Sequence, residues 1–285
     1  MLLRSFARIT GTTMVSAALL AGLPGLGGLA GATSPRSSAR PTSQVSQTAA
    51  VARQVLADLR VGSPNLPGLT KTDSLNWAGY VDDNSRGNTY TAMTGKWTQP
   101  TIECARSTDL EIAAFWVGLD GWGSSTVEQD GTLGMCDDGA ISYYDWWEMY
   151  PSNSIQLDKQ ISASDVVTSS IAFASGEYRL TVTDHTHRSD SFTQVATCGS
   201  TPCKDSTAEW IAERPGTGSG FVVLPNFGKW KVSRASVTSG TKSVISGFAD
   251  DAINMVSSTG TSTLVTVSAL NAKGAGFTAT WRRSA

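Results

Sequence analysis

Val166-Val167-Thr168-Ser169-Ser170-Ile171-Ala172-Phe173, followed by Ser175-Gly176-Glu177 and then Tyr178-Arg179-Leu180-Thr181-Val182-Thr183-Asp184, is the stretch that decides the fold class. Both runs are rich in β-branched and aromatic residues and flank a Ser-Gly-Glu turn, the signature of strands that bury one face. Similar runs lie upstream: Trp77 to Val81, Tyr90 to Trp97, Ala113 to Leu119, Ile141 to Met149 and Ser154 to Leu157. Downstream are Ser191 to Val195, Ala208 to Glu213, Lys229 to Ser236, Ile253 to Val256, Leu264 to Ala269 and Phe277 to Arg282. Asn84 to Asn88 and Ala272 to Gly276 have loop chemistry. No helix-period segment of convincing length and no internal repeat follows Gly68. Many short strands at this spacing predict an all-β sandwich or closed barrel and exclude an α/β layout.

The region before these strands differs in kind. Arg4 and Arg8 precede an apolar stretch around Val15 to Ala21, ending near Ala30-Gly31-Ala32, which reads as an export signal over residues 1–32. Gly22, Pro24, Gly25, Gly27 and Gly28 break it too early for a membrane anchor, so no membrane association is expected after processing. Residues 33–69 are rich in Ser, Thr, Gln, Ala and Arg and read as a propeptide or linker, with one amphipathic stripe from Val51 to Leu59. Residues 70–285 are then a single β-rich domain holding all nine tryptophans.

Charge is divided along the same boundary. Six arginines stand against Asp58 alone before Thr70, so the formal −2 of the whole chain conceals a later part near −7. An acidic, lysine-poor domain argues against nucleic-acid partners and suits acidic surroundings, where protonated carboxyls repel one another less. In an exported chain four cysteines read as two disulfides. The favoured pairing is Cys104 with Cys136, and Cys198 with Cys203 across a short Gly-Ser-Thr-Pro turn. A zinc site has only a weak signal here, and His185 with His187 lacks a clear third ligand, so no metal and no cofactor is expected.

Two segments about eighty residues apart carry the chemistry: Val127-Glu128-Gln129-Asp130-Gly131 and Ala208-Glu209-Trp210-Ile211-Ala212-Glu213. A carboxylate from one and a side-chain amide from the other can activate a water and hold an oxyanion. In extended chain Gln129 faces away from Glu128 and Asp130, while Glu209, Ile211 and Glu213 share a face opposite Trp210 and Ala212. Trp77, Trp97, Trp116, Trp146, Trp147, Trp210 and Trp230 are candidates for a substrate groove, with buried core the default for about half of them. Trp116 and Trp146 are assigned to the groove because acids follow them closely.

The ordered set Asn76-Trp77-Ala78-Gly79-Tyr80, Trp97-Thr98-Gln99-Pro100, Phe115-Trp116-Val117-Gly118-Leu119-Asp120-Gly121, Glu128-Gln129-Asp130-Gly131, Trp146-Trp147-Glu148-Met149-Tyr150-Pro151 and Ala208-Glu209-Trp210-Ile211-Ala212-Glu213 resembles the glutamic peptidases, the eqolisin family. The resemblance implies an antiparallel β-sandwich of two seven-stranded sheets, a lectin-like jelly roll, that cleaves polypeptides; a monomer is expected. It also implies Gln129 and Glu213 as the catalytic pair, and substrate-contacting or supporting roles for Trp116, Asp120, Glu148, Trp146 and Trp77. Asp130 stands where fungal members often carry Thr.

Two other classes fit the same residues less well. A glycosidase on such a sandwich would pair acids such as Glu148 and Glu213. A carbohydrate-binding module would use the tryptophans and leave Gln129 without a role. A Ser-His-Asp triad lacks a Gly-x-Ser-x-Gly elbow, and pepsin-like chemistry lacks its Asp-Thr-Gly or Asp-Ser-Gly turns.

Overall fold

The computed structural model describes residues 73–83, 87–105, 109–152, 155–156, 161–217, 220–248 and 250–284. The expected export signal, the expected propeptide or linker with its Val51 to Leu59 stripe, and residues 84–86 of the expected loop lie outside these residues. The longer strands are β1 (Trp77–Asp82), β2 (Ala92–Thr98), β3 (Glu111–Asp120), β4 (Val127–Asp137), β5 (Ala140–Tyr150), β6 (Val166–Ala174) and β7 (Glu177–Asp184). They continue with β8 (Phe192–Ala196), β9 (Ala208–Glu213), β10 (Lys229–Ser239), β11 (Asp250–Val256), β12 (Thr263–Val267) and β13 (Phe277–Trp281). The only helical pieces among the described residues are single 3-10 turns at Arg188–Asp190 and Ile245–Gly247.

One hydrogen-bonded path runs β8-β7-β6-β2-β10-β13-β12-β11-β1-β9-β3-β4-β5 and ends on a short strand at Ile155–Gln156, each neighbour antiparallel to the next. The described residues are thus all-β, as their alternating runs predict. The hairpin β6–β7 pairs Phe173 with Tyr178 around its turn, in the register the sequence pattern asks for.

The path folds back so that alternate residues of both halves meet in one apolar core. Trp97, Val167, Leu180, Trp230 and Val232 from one half face Tyr80, Phe115, Val117 and Trp210 from the other. Trp230 is the hub, with ring centroids 5.5 Å from Trp97, 5.6 Å from Phe115 and 5.7 Å from Phe277. Each such aromatic pair adds about 0.5–1.5 kcal/mol beyond area burial. Both disulfides form as the spacing suggests, Cys104 with Cys136 and Cys198 with Cys203.

Strand β4 is the one long element that alternation does not reveal. Gly131, Gly134, Asp130 and Asp137 have weak strand preference, and the segment becomes extended because β3 and β5 pair it along its whole length. Gly79 of β1 is under a stricter constraint, since a Cβ there would meet the carbonyl oxygen of Trp210 at 1.8 Å, a backbone atom that cannot swing aside. Gly79→Ala is therefore expected to part β1 from β9 at a cost of about 3 kcal/mol or more, read as a lower midpoint in urea unfolding. An unchanged midpoint would contradict that close approach.

Candidate active site

Glu213 closes β9, where the register sets it beside Trp77 of β1 and Ala114 of β3. Its Oε1 accepts Nδ2–H of Asn76 at 3.1 Å and its Oε2 accepts Nε1–H of Trp116 at 2.9 Å. Burial raises this carboxyl to about 8 in spite of the two donors, which favour the ionised form.

Gln129 lies within β4, between Gly118 of β3 and Glu148 of β5. Its Nε2 donates to Glu148 Oε2 at 2.5 Å. Its Oε1 is buried and accepts no hydrogen bond among the described residues.

Alternation decides which face these groups share. Ile211 of β9, Val127, Leu133 and Met135 of β4, and Tyr144 and Trp146 of β5 form a second apolar cluster with Trp77 and Trp116, on the face turned away from the interlayer core. Glu213, Gln129 and Glu148 fall in step with those residues and so lie on that same face. Glu128 and Asp130 point the other way; Asp130 receives the hydroxyl of Ser169 from the opposite layer. The seven tryptophans divide accordingly: Trp97, Trp210 and Trp230 sit in the interlayer core with Trp147 packed against it, while Trp77, Trp116 and Trp146 belong to the outer cluster.

Between the two polar groups runs β3, whose Gly118 opposes Gln129 and whose Ala114 opposes Glu213. Trp116 stands between those positions. Its indole N–H holds Glu213, its ring stands edge-on to Trp77 at 5.1 Å, and a Cβ at Gly118 would come within 2.7 Å of its six-membered ring. Gly118 thus leaves the space that lets the indole lie over the residue opposite Gln129. A cavity of about 470 Å³ opens at the end of these strands, lined by Gly121, Ser124, Val127, Tyr150 and Pro151 among others.

Asp120 has a different placement. With φ of 63° at the end of β3, its carboxylate receives the backbone N–H groups of Lys204, Asp205 and Ser206 and the hydroxyls of Ser206 and Thr126, at 2.7–3.2 Å. Five donors occupy both oxygens, so this acid anchors the 204–206 loop beside the cavity end of the strands. Behind it, Glu128 is pushed up to about 10, first by burial and then by Asp120, Asp205 and Glu209. Glu209 itself is buried and accepts the N–H of Trp122 at 3.2 Å, at the opposite end of β9 from Glu213.

Asn76 opens one of the resembling segments, yet the sequence assigns it no role. It precedes the Trp77 strand and carries no catalytic signature; only the register of β1 against β9 brings its amide to Glu213. The histidines lie elsewhere, exposed after β7. His187 Nδ1 is 3.1 Å from Asp165 Oδ1, and His185 shares a hydrogen bond with Thr168 at 2.8 Å. Asp165, Asp184 and His187 bring ligand atoms within 4.8 Å of one another, as do Asp120, Glu128 and Asp205. The Asp165 to His187 contact is that of an ordinary carboxylate–imidazole pair.

Three comparisons bear on this arrangement. A model of the Peptidase A4 family matches residues 75–278. Aspergillopepsin-2 of Aspergillus niger is 28% identical over 206 residues, covering 63% of this chain and 70% of that protein. Among solved structures, scytalido-glutamic peptidase with a peptide-based transition-state analogue superposes with a TM-score of 0.61 at 20% identity, over 73% of this chain and 98% of that one. Aspergilloglutamic peptidase from Aspergillus niger gives 0.53 at 26% identity, over 60% of this chain and 99% of that one.

Proposed function

Because the chain belongs to the Peptidase A4 family, the glutamic peptidases, and is a peptide hydrolase, we propose that it is a secreted, acid-acting endopeptidase in which Gln129 and Glu213 direct water onto the scissile bond. The observation that carries this reading is their common strand face, with Trp116 bonded to one and lying over the position opposite the other.

In the proposed reaction a water enters the groove between the two side chains. The unpaired Oε1 of Gln129 accepts one of its protons and Glu213 removes the other as the oxygen attacks. The second N–H of Gln129 donates to the developing oxyanion, while Glu148 fixes the amide through the first. Glu213, now protonated, gives its proton to the leaving nitrogen. In the closed groove burial holds Glu213 protonated; admitting water lowers that penalty, and the Asn76 and Trp116 donors then favour the base form. Trp77, Trp116 and Trp146 would form the walls along which the polypeptide lies, and Asp120 would act through the loop it anchors. The scheme assigns no step to a metal or cofactor.

The same reading takes residues 1–32 as the export signal, 33–69 as a removable segment and 70–285 as a monomeric mature enzyme; the two disulfides support export. It also divides the fourteen-strand path into seven and seven at the β12–β11 junction, one half carrying the groove.

Gln129→Ala is expected to lower kcat/KM for an acid-denatured protein substrate by about 10²–10³. Gln129→Glu is expected not to restore it, because a carboxylate repels an oxyanion where an amide donates. Casein cleavage in acid and release of reducing sugar, assayed on the same preparations, separate this reading from a glycosidase; sugar release without casein cleavage would end it.

A further inference from the structure

The layer opposite the groove carries a charge pattern at odds with the acidic domain. Along β10, Lys229, Lys231 and Ser233 alternate with the buried Trp230 and Val232 and so point outward, and on the adjoining β2 Lys96 and Thr98 alternate with buried Met93 and Trp97. Lys96 and Ser233 are register partners. The three lysines line one open cavity of about 570 Å³ together with Thr98, Ser164 and Ser233. None of their ammonium groups forms an ion pair or hydrogen bond among the described residues. Beyond β6, at the end of β7, the imidazole of His185 is held below its ordinary value first by desolvation and then by the charges of Lys96, Arg188 and Arg234, against the opposing charge of Asp184.

We propose that this face binds an anionic polysaccharide, one bearing sulfate or carboxylate groups, and holds the enzyme on it with the groove of the other layer free. Four adjacent strands span about 15 Å at the usual strand spacing, longer than one sugar. Unpaired lysines in an open surface cavity hold a single small ion weakly because water and salt screen them, whereas a polymer engages several at once and loses its freedom only once. The hydroxyls of Thr98, Ser164 and Ser233 supply partners for sugar hydroxyls. Nucleic acid is disfavoured because single strands need exposed rings for base stacking, and among the described residues the exposed large apolar side chains are Ile141 and Val195, neither aromatic. Uncharged sugars lack a stacking platform for the same reason.

The test is retention of the full chain on immobilised heparin in weakly acidic, low-salt buffer. Wild type is expected to bind and to elute with salt. The triple variant Lys96→Gln, Lys229→Gln, Lys231→Gln is expected to pass through the column while cleaving a soluble peptide at the wild-type rate. A variant with the same charge change elsewhere, Lys204→Gln, Lys242→Gln, Lys273→Gln, is expected to be retained like wild type. Failure of wild type to bind, equal loss in both variants, or preferential binding of duplex DNA or inorganic polyphosphate overturns the proposal. Because cleavage of the soluble peptide is measured separately, these outcomes leave the peptidase assignment to its own assays.

Discussion

Glu213→Gln is expected to lower peptide hydrolysis by about 10²–10⁴, the range associated with a single general acid–base group, while leaving the domain folded. The substitution keeps shape and volume. Trp116 still donates to the remaining oxygen, and the Asn76 amide can turn its carbonyl toward the new NH2 group, so both contacts at 2.9 and 3.1 Å have a counterpart. What is lost is the one atom that can both take and return a proton. Burial already holds this carboxyl neutral at rest, so exchanging it for a neutral amide costs little stability. Acid hydrolysis of denatured casein measures the first expectation and near-ultraviolet circular dichroism the second. A folded variant that cleaves casein at the wild-type rate would remove Glu213 from the mechanism.

The second large effect concerns stability against pH. Asp82 is raised to about 9 and Glu128 to about 10, both mainly by burial, and Asp130 and Glu209 are raised well above the ordinary range for the same reason. In the unfolded chain these groups titrate near 4. Between about pH 4 and pH 9 the unfolded state therefore releases protons that the folded state keeps, and folding weakens as pH rises. The stabilisation is complete below the unfolded value and is lost on the way up to the folded one. At pH 7 the penalty is of order 4 kcal/mol for each of Asp82 and Glu128, and two such groups rival the roughly 5–15 kcal/mol that holds a domain together. Thermal midpoints are expected to be highest near pH 4 and to fall steeply through neutrality. Glu128→Gln and Glu209→Gln together should flatten that fall. A midpoint unchanged from pH 4 to pH 8 would show that these acids are not buried as protonated groups. Working in acid is thus consistent with how the interior is built, apart from any requirement of Glu213.

Much of this was legible in the residues. The alternating runs locate nearly every long strand because burial of one face imposes period 2 on composition, and the facing of Gln129 against Glu128 and Asp130 follows from the same rule. Among three possible cysteine connectivities, the short turn between Cys198 and Cys203 favoured the one observed. Strand β4 was not recognisable by composition, since its Gly131 is there for close approach to β3, where a Cβ would meet the carbonyl oxygen of Phe115 at 2.1 Å. The motif gives Asp120 a substrate-contacting or supporting role; that its carboxylate is taken up by the 204–206 loop, about eighty-five residues away, is announced by no local pattern.

Local sequence alone thus determined the all-β class, the strand faces and the residue types able to activate water, because these depend on side-chain period and intrinsic chemistry. Tertiary structure alone decided that β9, β3 and β4 lie side by side, that Asn76 and Trp116 bond Glu213, and that several acids are stripped of water. Register between strands distant in the chain is set by how the whole set of side chains packs, and a carboxyl group's proton affinity is set by the solvent that packing removes.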